Sequence, residues 1–152
     1  MSETARTAVH GAYTLSDDPA RLDLAAMHRF LVSAYWCEGI PQATLARAVR
    51  GSLCVGLYGA EGQVGLLRCV SDYATFCWVC DVYVLPAHRG RGLARAMLAF
   101  ARGHPRLQGL RRWSLVTREA HPLYRGAGFA PLAFPERHME CVAPDPYRRV
   151  PG

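Results

Sequence analysis

The run Asp81-Val82-Tyr83-Val84-Leu85-Pro86-Ala87-His88-Arg89-Gly90-Arg91-Gly92-Leu93-Ala94 constrains this chain more than any other stretch. A β-branched and aromatic segment passes through a glycine-bearing loop into a helical pattern over residues 93–103. A helix that opens in this way presents unpaired backbone N–H groups and the positive end of its dipole, which together attract an anion. Gly90 and Gly92 let the backbone come close to a phosphate, and Arg89, Arg91 and Arg95 add permanent positive charge beside it. The loop is not a P-loop, because the chain has no lysine to complete one. Nor is it the dinucleotide G-x-G-x-x-G, because Arg95 stands where the third glycine belongs. Taken alone, it also fits a tight turn with solvated arginines.

The remaining pattern predicts a first strand over 8–15 and a helix from Leu22 ending near Tyr35-Trp36. Gly39-Ile40-Pro41 breaks the chain before a second helix over 42–50. Strands are expected over 52–58, 63–70 and 74–85, joined as a meander by Gly59-Ala60-Glu61-Gly62 and Ser71-Asp72-Tyr73. A short strand over 113–116 and a short helix over 121–126 come next. Further strand pairing is expected from Phe129 onward, around 139–142. This order predicts an α/β (α+β layered) domain with a mixed, mostly antiparallel central sheet. One domain over 1–152 follows, with its core at about 8–143 and an extended tail at 144–152; a chain of this length buries roughly 68–70% of its unfolded surface.

Two motifs carry a family resemblance. Arg89-Gly90-Arg91-Gly92-Leu93-Ala94 resembles the Q/R-x-x-G-x-G/A motif of the GNAT superfamily of N-acetyltransferases, and Val82-Tyr83-Val84-Leu85-Pro86 resembles the acyl-CoA-binding strand that precedes it. Later, Thr-Arg-Glu-Ala-His-Pro-Leu-Tyr-Arg-Gly-Ala-Gly-Phe, from Thr117 to Phe129, resembles the family's second signature. The resemblance implies acetyl-CoA as donor and no metal. It implies that the amides of Arg89, Gly90, Arg91, Gly92, Leu93 and Ala94 hold the pyrophosphate. The pantetheine arm would then bond the strand at Val82 and Val84, around Tyr83. That arrangement needs the next strand to splay away, since freed backbone groups need a partner.

By the same resemblance Tyr124 protonates the departing thiolate, a role suited to a phenol with an ordinary pKa of about 10. Two departures concern the base and a cofactor contact. Cys80 stands where the family often has a glutamate, and Asp81 follows it; strict strand alternation would turn Asp81 to the opposite face. Asp81 is nevertheless the first candidate for contact with the substrate ammonium or for a water-mediated base. Thr117 stands where Asn is common and can bond the cofactor or cap the following helix. On the acceptor side, Tyr35, Trp36 and Glu38 at the break between helices and Asp72 at the strand turn offer aromatic faces and carboxylates for a cationic amine.

The implied reaction is direct attack of a small primary amine on acetyl-CoA through a tetrahedral intermediate. A non-catalytic acyl-CoA-binding or sensing module is the alternative on the same fold. Of the six cysteines, Cys77 and Cys80 form a lone C-x-x-C on a strand, where positions three apart diverge, so a metal site is not expected. No histidine is placed to activate Cys80 as a nucleophile; His121, near the last helix, is the one histidine worth testing. The net charge of +6 rests on 18 arginines, a composition with no asparagine and a single isoleucine that GC-rich bacterial codons favour. Without a reader-helix motif that charge does not predict nucleic-acid binding, and phosphates of the donor account for it better. No apolar run nears the roughly 20 residues of a membrane span, and the first residues lack signal-peptide features, so a cytoplasmic protein is expected. A homodimer stays open.

Overall fold

The computed structural model describes residues 4–147. Its sheet has six strands in sequential order: β1 (Thr7–His10), β2 (Tyr13–Ser16), β3 (Leu53–Gly59), β4 (Gly62–Ser71), β5 (Phe76–Val84) and β6 (Arg112–Ser114). Every neighbouring pair is antiparallel except β5 and β6, which run parallel. Helices α1 (Leu24–Leu31), α2 (Gln42–Arg50), α3 (Leu93–Arg102) and α4 (His121–Arg125), with four short 3₁₀ turns, complete the described elements. The expected mixed, mostly antiparallel sheet flanked by helices is the observed architecture.

Alternation along the central strands sends side chains into two cores. Val55, Leu57, Leu67, Cys69, Cys77 and Val79 pack with Leu93, Met97, Leu98 and Ala101 of α3. Cys54, Leu66 and Tyr83 turn the other way, onto Met27 and Leu31 of α1 and Leu45 of α2. Cys69 and Cys77 are therefore apolar filling in the α3 core. Each fully buried Leu or Met contributes about 1.5–3 kcal/mol of transfer free energy.

Three boundaries differ from the sequence expectation, each for a local reason. The run over 8–15 is two strands, because Gly11 takes φ +60 in a two-residue turn that pairs His10 with Tyr13. The first helix starts at Leu24, where the Asp23 carboxylate accepts from Ala26 N at 3.0 Å. It stops at Leu31 instead of near Trp36. Past that point i→i+3 turn bonds such as Ala34 N to Leu31 O replace the helical ladder, and Ser33 Oγ bonds the Phe30 carbonyl. The third difference is at the C-terminal side. Residues 130–147 contain no strand, only a 3₁₀ turn at Pro135–Arg137, and Met139 is 98% exposed. Pro131, Pro135, Pro144 and Pro146 punctuate this segment with residues that cannot donate to a ladder. Of the expected tail, residues 148–152 lie outside the described residues; Tyr147 packs against the α1–α2 core.

Gly65 shows how closely β4 is gripped. A Cβ there would lie 2.7 Å from the Tyr83 carbonyl oxygen and 3.0 Å from Leu57 Cδ2. The oxygen belongs to backbone that cannot rotate away, so Gly65→Ala should cost about 1–3 kcal/mol. Thermal unfolding should register it at roughly 2–4 °C per kcal/mol; an unchanged Tm would show that β5 yields more easily than its packing indicates.

Candidate active site

The site begins at an irregularity in β5. Leu66 pairs with Tyr83 and Arg68 with Cys80, so Asp81 and Val82 together oppose the single residue Leu67. Asp81 adopts φ +53, a left-handed conformation that a non-glycine residue takes at a cost. The extra residue resets the alternation. Cys77 and Val79 face α3 before the bulge, and Val82 and Val84 face it afterwards. Asp81 consequently shares the α1–α2 side with Cys80, which corrects the expectation that the two point apart.

There the Asp81 carboxylate is held from two directions. Arg68 Nε donates to Oδ2 at 2.7 Å, and Trp36 Nε1 donates to Oδ1 at 2.8 Å. The Asp81 side chain is only 8% exposed. Arg68 also donates to Ser52 Oγ at 3.0 Å, so it is fixed from the turn before β3 as well. The early end of α1 is what places Trp36 in a turn able to reach the sheet.

Beyond Trp78↔Ser114, β5 and β6 no longer pair. A cleft of about 930 Å³ opens between them. Its wall on the β5 side is 78–84, which includes Cys80, Asp81, Val82, Tyr83 and Val84; the wall opposite contains Thr117, Arg118, Glu119, Leu123 and Tyr124. Phe30, Tyr35 and Trp36 border it from the α1–α2 side, and His88, Arg89, Gly90, Gly92, Leu93, Ala94 and Arg95 form its end.

That end is the start of α3. Gly90 and Gly92 take φ +77 and +74, and no side chain caps the helix. Among the described residues, the N–H groups of Gly90 to Arg95 donate to no protein acceptor, whereas the next, Ala96 N, bonds Gly92 O at 3.0 Å. A concave row of free donors thus faces the cleft. Arg89 Nε donates to the Val84 carbonyl at 2.9 Å, using one lone pair of an oxygen expected to serve the donor. Arg91 does not line the cleft; its carbonyl bonds the His10 ring at 3.1 Å.

Tyr124, on α4, is 8% exposed and packs edge-to-face on Phe129. Its hydroxyl has no hydrogen-bond partner among the described residues. Burial, followed by the nearby Tyr35 phenol, raises its pKa above the ordinary value. Thr117 Oγ1 accepts from Ala120 N at 3.0 Å and so orders the entry to α4. Tyr35 spans the cleft: its hydroxyl accepts from Arg118 N at 3.2 Å, and the Arg118 guanidinium sits 3.8 Å from its ring centroid.

Besides Arg91, three residues singled out in the sequence lie outside this lining. Glu38 is exposed. Asp72 holds the β4–β5 turn by accepting from the hydroxyl and N–H of Thr75 and the N–H of Ala74, bonds that pull its pKa below the carboxylate range. His121 is an exposed residue at the first turn of α4. Conversely, Arg68, Trp78, Phe30 and Arg118 border the site without having been read from the sequence. Arg68 alone left a signal, a single charge inside the apolar run Val64-Gly65-Leu66-Leu67-Arg68-Cys69-Val70. Among the described residues, no group of three His, Cys, Asp or Glu is placed to hold a metal, and no helix is long and apolar enough to cross a membrane.

The sheet thus parts beside a helix N-terminus, with a carboxylate and a phenol facing the opening. The sequence matches the acetyltransferase (GNAT) domain model over residues 50–131. A protein of Gibberella zeae named as an acetyltransferase is 35% identical over a 137-residue alignment, covering 75% of this chain and 76% of the relative. A crystal structure from Xanthomonas campestris pv. campestris, named as a GNAT-family acetyltransferase, is 44% identical with TM-score 0.87, covering 90% of this chain and 97% of that one. A Clostridium acetobutylicum protein crystallised with acetyl-CoA shares the fold, with TM-score 0.58 at 15% identity over 86% of this chain and 94% of its own. The chain belongs to the GNAT superfamily and is an acetyl-CoA-dependent acetyltransferase.

The thiols bordering Asp81 are held protonated. Burial pushes Cys80 up to about 11 and both Cys37 and Cys54 up to about 12; Arg68 opposes the shift in all three and Asp81 adds to it. At pH 8 about one Cys80 in a thousand is thiolate. Brief iodoacetamide treatment at pH 8 should therefore label the exposed Cys141 and leave Cys80 unmodified by peptide mass spectrometry. Fast labelling of Cys80 would instead mark it as an activated nucleophile.

Proposed function

We propose that the protein transfers the acetyl group of acetyl-CoA to a small primary amine by direct attack, through a tetrahedral intermediate. The observation that carries this reading is the parting of β5 from β6 with Asp81 and Tyr124 on its two walls. The free N–H groups from Gly90 to Arg95 suit the pyrophosphate, with Arg89 and Arg95 adding charge; the backbone of Val82 and Val84 lies where a pantetheine amide would extend the sheet. Arg91 contributes through its amide rather than its side chain.

The amine arrives as ammonium and must lose a proton before it attacks. Asp81 keeps a second lone pair on each oxygen after serving Trp36 and Arg68, so it can accept an ammonium N–H directly or through water. The amine nitrogen then bonds the thioester carbon, and backbone N–H groups of β5 facing the cleft would stabilise the oxyanion that forms. As the C–S bond breaks, Tyr124 gives its proton to the thiolate and regains one from solvent. Products are the acetamide, CoA thiol and one released proton.

A second reading, acyl-CoA binding without transfer, draws support from one observation: both Asp81 oxygens are already engaged. Thiol release from acetyl-CoA, followed over a panel of amines, separates the two. Tyr124→Phe should lower kcat by about 10²-fold or more while leaving acetyl-CoA-dependent thermal stabilisation intact; undiminished turnover would remove Tyr124 from the acid role. The pH profile supplies an independent check. A phenol donates only while protonated, and burial raises the Tyr124 pKa, so the alkaline fall in kcat assigned to it should lie above pH 10. An alkaline limb centred below pH 9 would belong to another group.

A further inference from the structure

We infer that the acceptor is a monoamine built on a flat aromatic body, bound with its ring against Trp36 and Trp78 and its ammonium toward Asp81. The inference rests on the acetyl-transfer reading and specifies its second substrate. It starts from the side of the cleft away from α3. Trp78 lies two residues before Cys80 on the same face of β5 and is 38% exposed; Trp36 and Tyr35 are 42% and 51% exposed. The three rings border one opening, and their open faces are not consumed by the α1–α2 core.

Two of the three rings are tied to neighbours. The Trp36 indole is tied to Asp81 through Nε1, and Tyr35 meets it edge-on with centroids 5.2 Å apart. Tyr35 is in turn held by Arg118 across the cleft. A fixed aromatic wall favours a rigid planar partner, which loses little conformational freedom on stacking. Flexible alkyl chains gain area there but lose more entropy.

Charge narrows the class further. Two carboxylates line the cleft, and each has its own arginine: Asp81 with Arg68, and Glu119 with Arg118 at 3.0 Å. The remaining charged side chains at the opening, Arg89 and Arg95, are positive. One ammonium can share Asp81 and gain cation–π contact with an indole. A second or third ammonium would meet no carboxylate in the cleft lining without its own arginine and would face a positive surround. This disfavours polyamines. It also sets a size limit, because the amine must stop at Asp81 for its nitrogen to reach the thioester.

The test uses the intact protein with 2-phenylethylamine, hexylamine and spermidine. Calorimetric titration in the presence of CoA reads the ligand class, and thiol release from acetyl-CoA reads the chemistry. The inference expects 2-phenylethylamine to bind at least tenfold more tightly than spermidine and fivefold more tightly than hexylamine, with kcat/KM in the same order. Trp78→Ala should raise KM for 2-phenylethylamine at least fivefold with the KM for acetyl-CoA unchanged, and Trp78→Phe should restore most of it. Spermidine matching or exceeding 2-phenylethylamine in both readouts overturns the aromatic class while leaving acetyl transfer in place. Preferential 2-phenylethylamine binding without thiol release upholds the ligand class and overturns transfer. Should Trp78→Ala fail to fold, the wild-type ranking alone decides.

Discussion

The bulge at Asp81 and the ion pair that holds it set the geometry of everything around the cleft. A left-handed φ at a non-glycine residue costs on the order of 1–3 kcal/mol and persists only where its surroundings compel it. Here the compulsion is Arg68, itself braced by Ser52, and the Trp36 indole. The pair is largely dry, with side chains 17% and 8% exposed, so it adds little net stability against desolvation. Its effect is geometric. One added residue sends Cys80 and Asp81 to the same face, returns Val82 and Val84 to the other, and ties the turn after α1 down onto the sheet. Without it, the Asp81 carboxylate, the backbone of Val82 and Val84 and the Trp36 indole would not share one opening.

The lysine-free positive charge has a second use beside the anion site. Arg21 lies over Tyr58, Arg102 over Trp113, Arg106 over Tyr73 and Arg118 over Tyr35, at 3.9 to 4.8 Å for the first three and 3.8 Å for the last. A planar guanidinium stacks on a ring while its edge still donates, which an ammonium does less well. Much of the arginine excess is thus spent on pinning aromatic side chains around the sheet. Of the three arginines first associated with phosphate binding, Arg89 and Arg95 line the cleft, and Arg91 does not; its carbonyl bonds the His10 ring.

The architecture was legible because α2, α3 and the three central strands have long, regular patterns whose period identifies them. The Arg89 to Ala94 loop was legible because its glycines leave few alternatives. What escaped was everything that depends on a departure from periodicity. Alternation alone sends Asp81 away from Cys80, and only the two-against-one pairing opposite Leu67 reverses this. The helical pattern continues through Ala34, yet the ladder ends at Leu31, so Trp36 became reachable from the sheet. Met139 to Val142 reads as a strand by composition but finds no ladder among the described residues. Arg68 and Arg118 act through partners distant in sequence, which no local pattern encodes.

The two walls of the cleft belong to different parts of the molecule, and this shapes how the site can work. The Asp81 wall is locked into both cores through β5. The Tyr124 wall is carried by the short strand β6 and a five-residue helix, with Tyr124 buried in the α3 core and Leu115, Ala120, Leu123 and Phe129 packed against it. Across the opening, Tyr35 and Arg118 join the walls by an exposed hydrogen bond and a cation–π contact, worth on the order of 1 kcal/mol together. Such a clasp breaks and reforms readily at room temperature, whereas the bulge does not. Tyr124 therefore sits on the more lightly tied wall and Asp81 on the rigid one. A ligand that filled the missing strand position would supply the backbone pairing that β5 and β6 lack beyond Trp78 and Ser114. In the proposed reaction, donor binding would then stiffen the Tyr124 wall at the step that draws on its proton.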